Sequence, residues 1–261
     1  MLEYWYLFPA GVAIAICAMS SGIEGSSFWT PVYLLAMGLE PKVAFWVSLL
    51  TMFFGFGSGV WRNLRDGTVN AYLVGRYLLV AAPAAALGAL ASARIGAFWL
   101  LAGFAVFVLT YGALLIRECV RRDPLEEALE PHERVYRSVG ALAGGLQGTI
   151  ASGAGVLLMP AILNHRRSRH HAEAVGSTVV LVFVLSLVSV SLRVDATLFA
   201  TLVAGADEIL RMIVFAAPGV VLGGQLGPRL ARRLSRRHLR LWVGVLLTVV
   251  GVLVGYRALA A

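Results

Sequence analysis

Long uncharged stretches alternate with short charged segments along the chain. Residues 4–23, 43–61, 77–93, 95–116, 138–164, 174–192, 212–228 and 241–256 contain no Asp, Glu, Lys or Arg. A hydrocarbon layer of about 30 Å is crossed by about 20 helical residues, so most of these stretches suffice, and the shorter ones can borrow flanking positions. The stretches are continuously apolar rather than alternating. That pattern predicts helices and argues against a barrel, the only other structure that satisfies its backbone in lipid. The pattern therefore predicts an all-α polytopic membrane protein with about eight hydrophobic elements.

Composition agrees with that layout. Of the 261 residues 59% are hydrophobic and 14% charged, and the mean hydropathy of +0.81 lies outside the range of soluble domains. A net charge of +8 raises nucleic acid as a partner, but the basic residues fall in short segments between apolar runs. Arg229, Arg232, Arg233, Arg236, Arg237 and Arg240 form one such segment, and Arg166, Arg167 and Arg169 another. These read as cytoplasmic loops touching anionic head groups, so nucleic acid is not an expected partner. The first stretch follows Glu3 rather than a basic region and reads as mature protein. Cys17 and Cys119 imply neither a disulfide framework nor a metal site.

The two halves repeat each other. Residues 76–88 align without a gap on 211–223, placing Arg76 on Arg211, Pro83 on Pro218, Leu87 on Leu222 and Gly88 on Gly223. Upstream, 22–31 corresponds to 151–160. Each has a run of small residues followed by a proline, Pro31 or Pro160. Ala44 and Ser48 then match Ala174, Ser177 and Thr178, and each half closes on a helix around Gly103 or Gly244. The repeat divides the chain into a first membrane module at 1–117, a polar linker at 118–137 with Pro124 and Pro131, and a second membrane module at 138–261.

Loop charge reverses between the halves. Segment 61–70 carries Arg62 and Arg65 against Asp66, whereas 193–208 carries Arg193 against Asp195, Asp207 and Glu208. The modules are thus expected to insert in opposite orientations. Such inversion requires an odd number of crossings per module, which follows if the first element of each is broken or re-entrant, with its tip at the small-residue run.

Those breaks are the leading candidates for a substrate site. Gly22, Gly25, Ser26 and Ser27 in the first, and Ser152, Gly153 and Gly155 in the second, allow a helix to unwind at membrane depth. A restarting helix aims free N–H groups and its positive dipole end at one point, an arrangement that binds anions. Ser48, Ser177 and Thr178 on the following helices would close the shell. The plainer reading is that these residues only allow tight helix packing; their duplication, each with a proline in the same place, favours binding. Glu24 lies inside the first break and is a candidate for proton or ion coupling, with Gly153 at the matching place. The alternative for Glu24 is an interfacial position satisfied by water or an arginine. Arg76 and Arg211 could attract anions, although snorkelling to head groups is favoured, and Gln147 reads as helix–helix bonding more than substrate binding. His165, His170 and His171 with Glu173 do not have a zinc spacing, and no metal or other cofactor is expected.

The two glycine-rich breaks ending in Pro31 and Pro160, each followed by an alanine and a Ser/Thr pair, resemble the sulfite exporter TauE/SafE family of membrane permeases over nearly the whole chain. The resemblance implies a secondary transporter that moves a small sulfur-containing anion, such as sulfite or an organosulfonate, across a bacterial inner membrane. Its implied partners are a small anionic substrate and the lipid bilayer; a homo-oligomer stays open. Family members often carry three adjacent glycines in each break, where this chain has Glu24, Gly25 and Ser26 or Gly153, Ala154 and Gly155. Neither break has a cysteine, which argues against a cysteine relay of the kind seen in thiosulfate uptake. Two other readings compete with the carrier: a passive anion channel and a membrane-embedded metalloenzyme using the histidine loop.

Overall fold

The computed structural model describes residues 3–21, 24–121, 133–165, 168, 171–231 and 236–259, and all the regular structure among them is helical. In chain order the helices are α1 (Leu7–Ser21), α2 (Ser26–Pro31), α3 (Pro41–Arg65), α4 (Ala71–Arg94), α5 (Ala97–Arg121), α6 (Glu133–Ile150), α7 (Ala154–Leu163), α8 (His171–Leu192), α9 (Ala196–Ala204), α10 (Ala206–Ala231) and α11 (Arg236–Leu259). Six of the described helices, α3, α4, α5, α8, α10 and α11, are long and apolar enough to cross a membrane. The other two long apolar stretches are interrupted, as α1–α2 and α6–α7.

Local chemistry accounts for several of these ends. Pro41 opens α3 where its missing N–H costs nothing. Asn70 caps α4 by accepting from the Leu73 N–H at 3.1 Å, and Asp195 caps α9 by accepting from Leu198 N–H at 2.7 Å. Pro31 removes a donor from the helical ladder, and the next turn, Val32–Ala36, widens so that the Met37 N–H reaches the Val32 carbonyl.

Partners are exchanged between the halves. α1 packs along α10, and α6 along α4, each pair joining one half to the other. A Cβ built on Gly88 would lie 2.6 Å from the Gly145 carbonyl oxygen, and one on Gly223, its counterpart, 2.5 Å from that of Val12. Small residues thus bring both pairs of backbones together, as expected where lipid supplies no hydrophobic drive between helices. Matching helices meet each other antiparallel. Along α3 and α8, Trp46 donates to the Val190 carbonyl at 3.1 Å, Phe53 stacks on Phe183 and Gly59 lies against Val179. Along α5 and α11, Gly112 meets Gly244 and Thr248 while Leu109 meets Gly251.

Chain direction shows what happens at the first break. α10 runs parallel to α3, with Val220 on Gly55 and Gly224 near Ser58, and parallel to α1, with Gly219 on Phe8 and Gly223 on Val12. α2 runs the other way, Gly25 near Met52 and Thr30 bonded to Ser48, before the short 37–40 connection into α3. The chain direction therefore reverses between α1 and α2. In the second half α6 follows α4, with Gly144 on Ala81 and Gly148 on Ala85, and α7 packs along α8, to which a short connection joins it.

Large apolar side chains cover the outside, Leu79, Leu87, Val106, Val214 and Val252 among them, which in a bilayer is the lipid-facing surface. Trp61, Trp99, Trp242 and Tyr256 lie exposed near helix ends, where amphipathic rings meet head groups.

Three sequence expectations need correction. Segment 193–208, read as a polar loop, contains α9, and Arg193, counted there as a loop charge, is 3% exposed. The linker's ends are helical, because α5 runs to Arg121 and α6 starts at Glu133; Pro124 and Pro131 lie outside the described residues. The basic segment 229–240 begins as the end of α10 and finishes as the start of α11. Charged residues lengthen these helices past the apolar core, which hydropathy alone cannot anticipate.

Candidate functional site at the two helix breaks

The breaks meet inside the protein. Ser27 and Ser152, one from each half, lie 2.6 Å apart, Oγ to Oγ, and both are buried. The Gly153 N–H donates to Glu24 Oε2 at 3.1 Å, and the Gly155 N–H donates to Glu24 Oε1. Glu24 is 1% exposed, so its carboxylate is held almost wholly by the start of α7.

The backbone explains why these amides are available. Gly153 has φ of 107° and precedes α7, and Ala151 is also left-handed, at φ of 56°. That path ends α6, turns the chain and points the first amides of α7 away from their own helix, where no intrahelical acceptor exists. An anion at a helix N-terminus is stabilised both by these bonds and by the dipole. The first break is built otherwise. Gly25 is helical, with φ of −60°, and the Ser27 and Phe28 amides donate to the Glu24 and Gly25 carbonyls, so this break contributes a side chain. Gly22 lies outside the described residues.

A cavity of about 40 Å³ adjoins Glu24 and Gly155 and is walled by Met19, Phe56, Met159 and Thr178. It is room for water but little more. Ser26 is buried beside the break, and its hydroxyl has no hydrogen-bond partner among the described residues.

The other expected site residues separate into two groups. Thr178 borders the cavity, although its hydroxyl donates to the Ala174 carbonyl at 2.8 Å. Ser48 donates to the Phe45 carbonyl and pairs with Thr30 at 2.9 Å. Ser177 accepts from the Asn70 N–H at 2.9 Å and thus supports the connection after α3. Ser48 and Ser177 thus bond to different elements, Ser48 to α2 and its own helix and Ser177 to the connection that precedes α4. Arg76 does not reach the breaks: near the start of α4 it donates to Tyr72 Oη at 2.9 Å and lies 4.4 Å over the Tyr136 ring. Arg211, near the start of α10, is exposed. Gln147 donates to Ser186 at 3.0 Å, joining α6 to α8. His170 lies outside the described residues, and no cluster of metal-binding side chains occurs among those described. Arg193 was missed as an interior residue; its one signal was its place between Leu192 and Val194 directly after an apolar run.

The model of the family described as sulfite exporter TauE/SafE matches residues 7–254, which takes in both breaks and the crossing helices except the last residues of α11. The chain belongs to that family. Neither a curated protein nor a solved structure matches it. The family is one of membrane permeases, which fits the six apolar helices and makes this a membrane protein with a transport role.

Proposed function

We propose that the protein is a secondary carrier for a small sulfur-containing oxyanion, such as sulfite or an organosulfonate, in a bacterial inner membrane. The substrate binds where the two breaks meet. One observation carries this reading: two backbone amides at the start of α7 already hold a negatively charged, two-oxygen group, the Glu24 carboxylate. A site that fits one oxyanion edge fits another, and the unpartnered Ser26 hydroxyl beside it offers a further donor.

Occupancy by Glu24 sets the coupling. Carboxylate and substrate compete for the same amides, so the anion binds when Glu24 takes a proton and lets them go. The loaded carrier then holds one proton and one anion more than the empty one, and it crosses without a change in charge if the anion is monovalent. Antiparallel matching helices, with breaks that turn back into the protein, support an inverted repeat in which one half rocks against the other around this junction.

Flux of sulfite into proteoliposomes under a pH gradient tests the reading. Wild-type flux is expected to follow the gradient and to show counterflow, which a channel cannot produce. Glu24→Gln should lose proton-driven flux while still binding sulfite. Proton-driven flux unchanged in that variant would remove Glu24 from the mechanism, and absence of counterflow in the wild type would remove the carrier.

A further inference from the structure

Two charged residues are buried among the described residues, Glu24 and Arg193: the first meets the amides that open α7 and the second meets the C-terminal ends of α4, α6 and α8, while no ion pair is formed by either among the described residues. Arg193 follows α8 and reaches a place where several helices begin or end. Its Nε donates to Ser92 Oγ at 3.0 Å near the end of α4, Nη2 donates to the Thr149 carbonyl in the last turn of α6, and the guanidinium carbon lies 5.2 Å from the centre of the Phe45 ring near the start of α3. Nη1 is buried and has no hydrogen-bond partner among the described residues.

All three contacts are neutral. The nearby carboxylate in sequence, Asp195, caps α9, and the ion pair observed among the described residues joins Arg62 to Asp66 elsewhere. A guanidinium taken out of water without a counter-ion is costly, and a donor left unmade adds to that cost. Clamping the C-terminal ends of α4, α6 and α8 accounts for Nε and Nη2 and offsets part of the charge, but it leaves Nη1 unmade. An anion supplies that partner together with a full counter-charge. The guanidinium offers flat, directed N–H groups suited to the edge of an oxyanion. Burial excludes a lipid head group, so the ligand must be small and able to enter the protein. Thr149 also ends the half-helix whose break leads to Gly153, so cation and amide cradle flank the same gap in the chain.

We infer that Arg193 is a second anion-binding residue, holding a small oxyanion through Nη1 as it passes to or from the Glu24 junction. The inference rests on the carrier reading above. Its test is the sulfite-induced rise in the thermal unfolding midpoint of the purified full-length protein in detergent. The wild type should show the rise. R193K, which keeps the charge but loses the fork, should weaken apparent sulfite affinity by about tenfold or more, and R193Q should weaken it further. An unchanged response in both Arg193 variants would overturn the inference and leave the carrier standing. No response in the wild type would overturn both. Should the Arg193 variants fail to fold, diffraction from wild-type crystals soaked in selenite decides: anomalous selenium density within hydrogen-bond reach of Arg193 supports it, and density only elsewhere, or none, overturns it.

Discussion

The break at 22–25 and the break at 151–153 share one sequence pattern but play opposite parts where they meet. The second gives up helical geometry, with Gly153 at φ of 107°, and presents N–H groups. The first keeps Gly25 helical and presents a carboxylate. Had both stayed alike, amide donors would face amide donors in the protein interior, and each would lack a protein acceptor. A contact across a repeat thus favours divergence at the point of contact. The scaffold around it has no such conflict and keeps equivalent small-residue seams.

That contrast can be broken at several points. The largest effect belongs to the seams: Gly88→Leu and Gly223→Leu, matched in the repeat, should both abolish folded protein in detergent gel filtration. Each pushes a side chain into a facing backbone, beyond the about 1–3 kcal/mol of ordinary overpacking. Survival of one but not the other would show the scaffold to be as asymmetric as the breaks. Next comes the pair of breaks themselves. A Cβ on Gly153 would sit 3.0 Å from Phe107 in a left-handed residue, so Gly153→Ala should cost about 2–4 kcal/mol from strain and crowding together, read as a lower unfolding midpoint. Gly25→Ala meets nothing closer than 3.8 Å and should cost less than about 0.5 kcal/mol. Equal costs would deny the difference in backbone between them.

Removing the carboxylate is a sharper probe of roles. Glu24→Ala leaves two buried amides without an acceptor, a loss of about 1–3 kcal/mol each. Formate or sulfite should restore more of the unfolding midpoint to this variant than either adds to wild type. Equal increments in both proteins would mean that the amides do not form an anion cradle. The smallest effect lies at the hydroxyl contact: a double-mutant cycle over Ser27→Ala and Ser152→Ala should give a coupling of about 0.5–1.5 kcal/mol, and additive losses would mean that the two breaks do not bond there.

Much of the site could be read from residues alone. Glu24, Ser27, Ser152, Gly153 and Gly155 stand in two aligned runs of small residues, and an acidic group inside one of them is conspicuous in an apolar chain. The sequence is silent on partners that lie on other elements. Ser48 and Ser177 match in the repeat, yet one bonds a neighbouring helix and the other a connection. Arg193 looked like a loop charge because hydropathy records only its neighbours in sequence, whereas its burial comes from α3, α4 and α6 closing over it.

By themselves the chain's apolar stretches and runs of small residues determined that helices form and where two of them must break. These follow from local terms: the cost of bare backbone in lipid, the rise of a helix, and the conformations open to glycine and proline. Tertiary structure alone decided which break donates and which accepts, since that depends on the crossing of α1 with α10 and of α6 with α4, and on a carboxylate from one half arriving within bonding distance of amides from the other. Interactions between distant parts of a sequence leave no period in it.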